Sequence, residues 1–135
     1  MGSERSAEQG KRAARTAPPR QTVKLGQDGE TAAEAFLATQ GWVTLARNWR
    51  GKRGELDRIV GRGAALRFVE VKVRDVSDPW AEEAWSVAQR LRARQAAEQW
   101  LARSEAPPCD DLGFLLVLAA SDGNSWSFRV IDVDL

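Results

Sequence analysis

A chain of 135 residues with 43% hydrophobic and 29% charged side chains has the size and balance of one globular domain. Its single cysteine, Cys109, excludes an intrachain disulfide, and the absence of histidine excludes histidine triads, histidine general bases and the usual histidine-containing zinc sites. Any catalysis must run on carboxylates, lysine, hydroxyls or a metal held by oxygen.

Residues 1–22, MGSERSAEQGKRAARTAPPRQT, carry five bases against two acids, +3, which leaves −2 for the rest of a chain whose net charge is +1. They hold almost no large apolar side chain, so a disordered basic tail is expected, followed by a domain over 23–135. Such an arm brings a polyanion closer or simply keeps the chain soluble. It has no apolar core of a secretory signal, and no run in the chain reaches the roughly 18–20 apolar residues of a membrane helix. With one cysteine, these features point to the cytoplasm and away from the membrane.

GETAAEAFLATQ (29–40) follows Asp28 as a candidate N-cap and sets Ala33, Phe36 and Leu37 on one helical face. Glu30 would then lie in the first turn, where the helix dipole favours a carboxylate. Gly41 is placed to end the helix. WVTLARNWR (42–50) reads as a strand and GKRG (51–54) as a turn. Leu56–Val60 and Leu66–Arg74 read as two strands about Gly61-Arg62-Gly63. After a loop at Asp75–Pro79, residues 80–103 read as a helix, kinked or in two pieces, with Ala84, Val87, Ala88, Leu91, Ala97 and Leu101 as its stripe. EAPPCDD (105–111) is a loop, LGFLLVLAA (112–120) a strand buried on both faces, Asp122-Gly123-Asn124 a turn, and SWSFRVIDV (125–133) a last strand. The order α-β-β-β-α-β-β predicts an α/β fold around a mixed sheet flanked by helices.

The chemistry concentrates in GELDRIVGRGAALRFVEVKVR, where ionisable groups stand among apolar ones and need pairing or a metal. Side chains at i and i+2 of a strand share a face, so Glu70 and Lys72 point one way and Val69, Val71 and Val73 the other. A hairpin centred near Gly63 carries Asp57 to within cross-strand reach of Val69 and Glu70. Two carboxylates and an ammonium converging at one point suit a hard cation, Mg²⁺ or Mn²⁺, and the hydrolysis of a phosphodiester. Taken singly, Glu-x-Lys on a strand is usually a solvated ion pair.

GETAAEAFLATQGW, RNWRGKRGELDRIV and FVEVKVR together closely resemble the YraN family of bacterial proteins, well over residues 23–103 and loosely beyond. That family is similar to the PD-(D/E)xK nucleases, with the fold of restriction endonucleases. The resemblance implies a restriction endonuclease-like fold and a Mg²⁺- or Mn²⁺-dependent endonuclease, in which Glu30, Asp57, Glu70 and the Val71 carbonyl bind the metal and Asp57, Glu70 and Lys72 are catalytic. It implies nucleic acid as partner, DNA rather than RNA, with branched DNA favoured by analogy. The chain also departs from the family pattern: Gln89 stands where a helix lysine is common, Leu112-Gly113-Phe114 replaces an Arg-Phe-Asp run, and Arg58 replaces an apolar residue. Those departures keep a second reading open, a non-catalytic nucleic-acid-binding or adaptor protein that retains the nuclease fold.

Arg47, Asn48, Arg50, Lys52 and Arg53 cluster just before the acidic motif with Trp49 among them; Gln89, Arg90, Arg92, Arg94 and Arg103 fall on or near the second helix. They are candidates for phosphate contacts, and Trp49 for stacking on an unpaired base. Six tryptophans exceed the needs of one small core, which makes Trp80 or Trp85 a candidate contact in a homodimer.

Overall fold

The computed structural model describes residues 20–75, 85–103 and 106–134. A five-stranded mixed sheet, in the spatial order β1-β2-β3-β4-β5, has one helix on each face. The elements are α1 (Arg20–Thr39), β1 (Val43–Arg50), β2 (Glu55–Arg62), β3 (Ala65–Asp75), α2 (Val87–Leu101), β4 (Asp111–Ser121) and β5 (Trp126–Val133), the expected order. β1, β2 and β3 form an antiparallel meander, β4 joins β3 in parallel through the α2 crossover, and β5 pairs antiparallel with β4. No helix among the described residues is long and apolar enough to cross a membrane.

The apolar patterning accounts for both layers. On one face Ala33 and Leu37 of α1 pack on Val60, Val69, Val71, Leu115 and Val117, with Phe36 stacked on Phe128 at 4.7 Å between ring centroids. On the other, Ala93, Ala96, Ala97 and Trp100 of α2 cover Leu56, Ile59, Phe68, Phe114 and Leu116. β4 is buried on both faces from Phe114 to Ala120, as its unbroken apolar run requires, while Leu112 at its start is half exposed. Trp85 is buried against Phe114 and belongs to this core, so it offers no dimer contact; Trp80 lies outside the described residues.

Several boundaries move. α1 already runs from Arg20, so Asp28 lies within the helix rather than capping it, and Glu30 is a mid-helix residue instead of a first-turn one. The β2–β3 turn falls at Gly63-Ala64, since Arg62 pairs with Ala65; Gly63 has φ +60°, which suits glycine. α2 starts at Val87 with Ser86 as its cap, while the expected loop beyond Asp75 and the expected helical residues 80–84 lie outside the described residues. Its expected stripe holds only in part: Ala97 and Leu101 face the core, but Val87 and Leu91 are 72% and 53% exposed, and the buried face is Ala93, Ala96, Ala97 and Trp100. Alanines bring the α2 backbone close to the sheet, and Gly54 permits this, because a Cβ there would lie 2.5 Å from the Arg92 carbonyl oxygen.

Candidate functional site

The hairpin meets the site where its two strands part. β2–β3 pairing ends at Arg58↔Val69; continued, the same register would have set Asp57 opposite Glu70 and then Leu56 opposite Val71. Instead the Val71 amide, left without a β2 carbonyl, donates to Asp57 Oδ2 at 2.8 Å. Asp57 thus replaces a rung of the ladder, which fixes its carboxyl group beside β3. Glu70, close enough to Asp57 for the two carboxyl groups to interact, shares its strand face with Lys72, and Lys72 Nζ is 3.1 Å from Glu70 Oε2. The convergence expected of Asp57, Glu70 and Lys72 is therefore present.

Burial and mutual repulsion govern its electrostatics. Desolvation raises Asp57, against the pull of the Val71 hydrogen bond and the Lys72 charge. Glu70 is pushed from its ordinary 4.5 to about 7, first by desolvation and then by the Asp57 charge, with Lys72 opposing. Two half-buried carboxyl groups that resist ionising together, facing one ammonium, form a donor set with an unmet demand for positive charge. Their oxygens fit a hard divalent cation, which commonly takes one or two protein carboxylates and completes its shell with water or phosphate. Among the described residues no three acidic or cysteine side chains close around a common point.

Glu30 lies near enough to be raised by burial and by Asp57, but its contact is with Arg58. Arg58 is only 4% exposed. Its Nε donates to Glu34 Oε1 at 2.6 Å, and its Nη1 to the Asp57 carbonyl at 2.7 Å and to Glu30 Oε1 at 3.4 Å. Arg47 grips the same Glu34 with two N–H groups, at 2.9 and 2.6 Å. Hydrogen bonds from Arg47, aided by Arg58, hold Glu34 down at about 2. Sequence reading missed this network. Its signal was available, since Arg58 alternates with inward-facing Val60 and Glu30 and Glu34 stand at i and i+4 on the facing helix.

The other expected contacts divide. Trp49, Arg50, Gly51 and Lys52 at the β1 end join Gln99 and Arg103 of the α2 end around an open concavity of about 420 Å³. The Lys52 amide donates to Gln99 Oε1 at 2.7 Å. Trp49, which lines this concavity, pairs with Leu56, the residue before Asp57, while Asp57, Glu70 and Lys72 do not line it. Arg50, Lys52 and Arg53 are exposed, while Arg47 is tied to Glu34. Asn48 takes φ +49° in the strand, a conformation asparagine tolerates better than most residues. Gln89 closes a capping box: its Oε1 accepts from the Ser86 amide at 2.9 Å, and its own amide donates to Ser86 Oγ at 3.1 Å. Arg90 follows it, half-buried, in the first turn. Gly113, in the altered 112–114 stretch, leaves room for Arg67, which bonds Asp111 and Asp132. Glu55 is solvent-facing, with Arg50 4.0 Å away.

A mixed α/β domain with two carboxylates and a lysine at a splayed hairpin is the class that fold and site define. The chain belongs to the UPF0102 family, the YraN family of the sequence resemblance: the model described as "Uncharacterised protein family UPF0102" matches residues 29–133. It is similar to the UPF0102 protein of Methylobacillus flagellatus, 36% identical over 104 residues, covering 76% of this chain and 92% of the relative. It is also similar to that of Symbiobacterium thermophilum, 42% identical over 91 residues, covering 64% and 75%. The relative from Halorhodospira halophila is 47% identical over 81 residues, covering 58% and 65%.

Proposed function

We propose that this protein is a Mg²⁺- or Mn²⁺-dependent nuclease that hydrolyses phosphodiester bonds in DNA, with structured or branched DNA favoured. The observation that carries the reading is the convergence of Asp57, Glu70 and Lys72 where β2 and β3 part. Asp57 and Glu70, with the Val71 carbonyl, would hold the cation. When bound, such an ion supplies Lewis-acid chemistry, polarising phosphate and making water easier to ionise. Lys72 presents ammonium protons to a phosphate oxygen or to the attacking water, and its pair with Glu70 sets its position. The Val71 amide holds Asp57 in place, so the metal-facing geometry is built by main chain rather than by a loop. Around it, Arg50, Lys52, Arg53 and Arg103 supply phosphate contacts and Trp49 a stacking face for a base. The relation to PD-(D/E)xK nucleases supports this reading as an analogy of fold and motif.

The test is cleavage of labelled single-stranded, duplex, flapped and four-way DNA with Mg²⁺, Mn²⁺ or EDTA, comparing wild type with Asp57→Ala and Lys72→Ala. The expected result is metal-dependent cutting by wild type alone. Binding without cutting under every metal would establish the adaptor reading, which the committed side chain of Gln89 favours. Equal cutting by both variants would refute the site.

A further inference from the structure

The resemblance gives Glu30 to the metal, and it prefers an apolar residue where this chain has Arg58. The structure joins these two residues to each other. Arg58 carries a permanent charge at a 4% exposed position, where a guanidinium needs anionic partners. Among the described residues its carboxylates are Glu34, which it shares with two N–H groups of Arg47, and Glu30. The Glu30 contact, at 3.4 Å, is long for a hydrogen bond but within ion-pair reach. The same Nη1 is anchored on the Asp57 carbonyl at 2.7 Å, so the guanidinium edge is fixed at the residue that begins the cation site.

We propose that Arg58 makes this a one-cation site: it keeps Glu30 as its own counter-ion, and Asp57 and Glu70 bind a single divalent metal without Glu30. The proposal rests on the cation reading above. Two consequences of charge and position support it. Moving Glu30 to a metal would leave Arg58 buried with one carboxylate already shared with Arg47. A fixed positive charge beside Asp57 also opposes a second divalent ion near the first. Arg58 is thus a positioning residue, acting on the site by holding Glu30 away from it and by fixing the Asp57 main chain.

The experiment is Mn²⁺ titration of the full chain without nucleic acid, read by calorimetry and by the electron paramagnetic resonance of free Mn²⁺. Wild type should bind one equivalent. Glu30→Gln should bind one as well, with affinity within about twofold of wild type, whereas loss of an outer-shell partner typically costs about tenfold or more. Arg58→Met, which releases Glu30, should bind about tenfold more tightly or take up a second equivalent. Weakening of Glu30→Gln by about tenfold or more would put Glu30 on the metal or on its ligands rather than with Arg58 alone and overturn the proposal, as would weaker binding by Arg58→Met. Should Arg58→Met fail to fold, the Glu30→Gln comparison decides. Asp57→Asn separates the two levels: if it binds Mn²⁺ like wild type the cation reading itself fails, and if it alone loses Mn²⁺ both stand.

Discussion

Glu70→Gln should stabilise the metal-free protein at pH 8 and have little effect at pH 5. In the folded chain Glu70 is raised from 4.5 to about 7, by desolvation first and Asp57 second. A carboxyl raised on folding contributes stability below its unfolded value, and that contribution is lost as pH rises through the folded one. Between pH 5 and 8 the wild type should therefore lose stability, and Asp57, raised as well, acts in the same direction. The gap between 4.5 and about 7 sets a ceiling of roughly 3 kcal/mol. Glutamine keeps the shape, removes the repulsion and gives up the Lys72 ion pair, so about 1–2 kcal/mol should be recovered at pH 8. For a domain of this size that is a rise in Tm of about 4–8 °C. Thermal unfolding in EDTA at both pH values, followed by circular dichroism, measures it. A variant less stable than wild type at pH 8, or a difference independent of pH, would refute the electrostatic account of the site.

Two further predictions concern the ground on which the site rests. Gly29→Ala would drive a Cβ into Val73 Cγ2 and set it 3.3 Å from Trp126 Cη2. Overpacking by roughly 1–3 kcal/mol should outweigh a helix-propensity gain of about 1 kcal/mol, giving a net loss of about 1 kcal/mol in urea unfolding; equal or greater stability would mean that α1 can withdraw from β3. Lys52→Ala should weaken binding to single-stranded oligonucleotides of any sequence and reduce the salt slope by about 1. Trp49→Ala should cost about 1–3 kcal/mol with the slope unchanged, and fluorescence anisotropy at several salt concentrations separates the two. A changed slope for Trp49→Ala, or none for Lys52→Ala, would remove the concavity from the nucleic-acid surface.

The elements were legible where the pattern was strong. The apolar run of β4 read as a strand covered on both sides, as Phe114–Ala120 is, and Ala33, Phe36 and Leu37 mark the face of α1 that packs. The Asp57, Glu70 and Lys72 cluster was legible for a related reason: strand alternation and the length of a hairpin fix which side chains meet. The α2 stripe was misread in part: Ala97 and Leu101 do face the core, but Val87 and Leu91, chosen for their size, are exposed. Close approach of a helix to a sheet instead selects Ala93, Ala96 and Ala97 for the interface. Gln89, expected near phosphate by analogy with a lysine, gives its side-chain carbonyl to the Ser86 amide, a local bond that helix caps favour.

By itself the sequence determined the element order, the two apolar layers and the acidic hairpin, because these follow from periodicities of two and 3.6 residues acting over short distances. It also limited the chemistry to oxygen donors and lysine, since the chain has no histidine and one cysteine. Only the tertiary structure decided how the carboxylates are shared. Asp57 receives the Val71 amide because β2 and β3 separate there, and Glu30 faces Arg58 because α1 crosses that point of the sheet. Which acid meets a strand amide, a guanidinium or another acid depends on where a helix from one part of the chain lands on a strand from another. Sequence spacing does not record that contact.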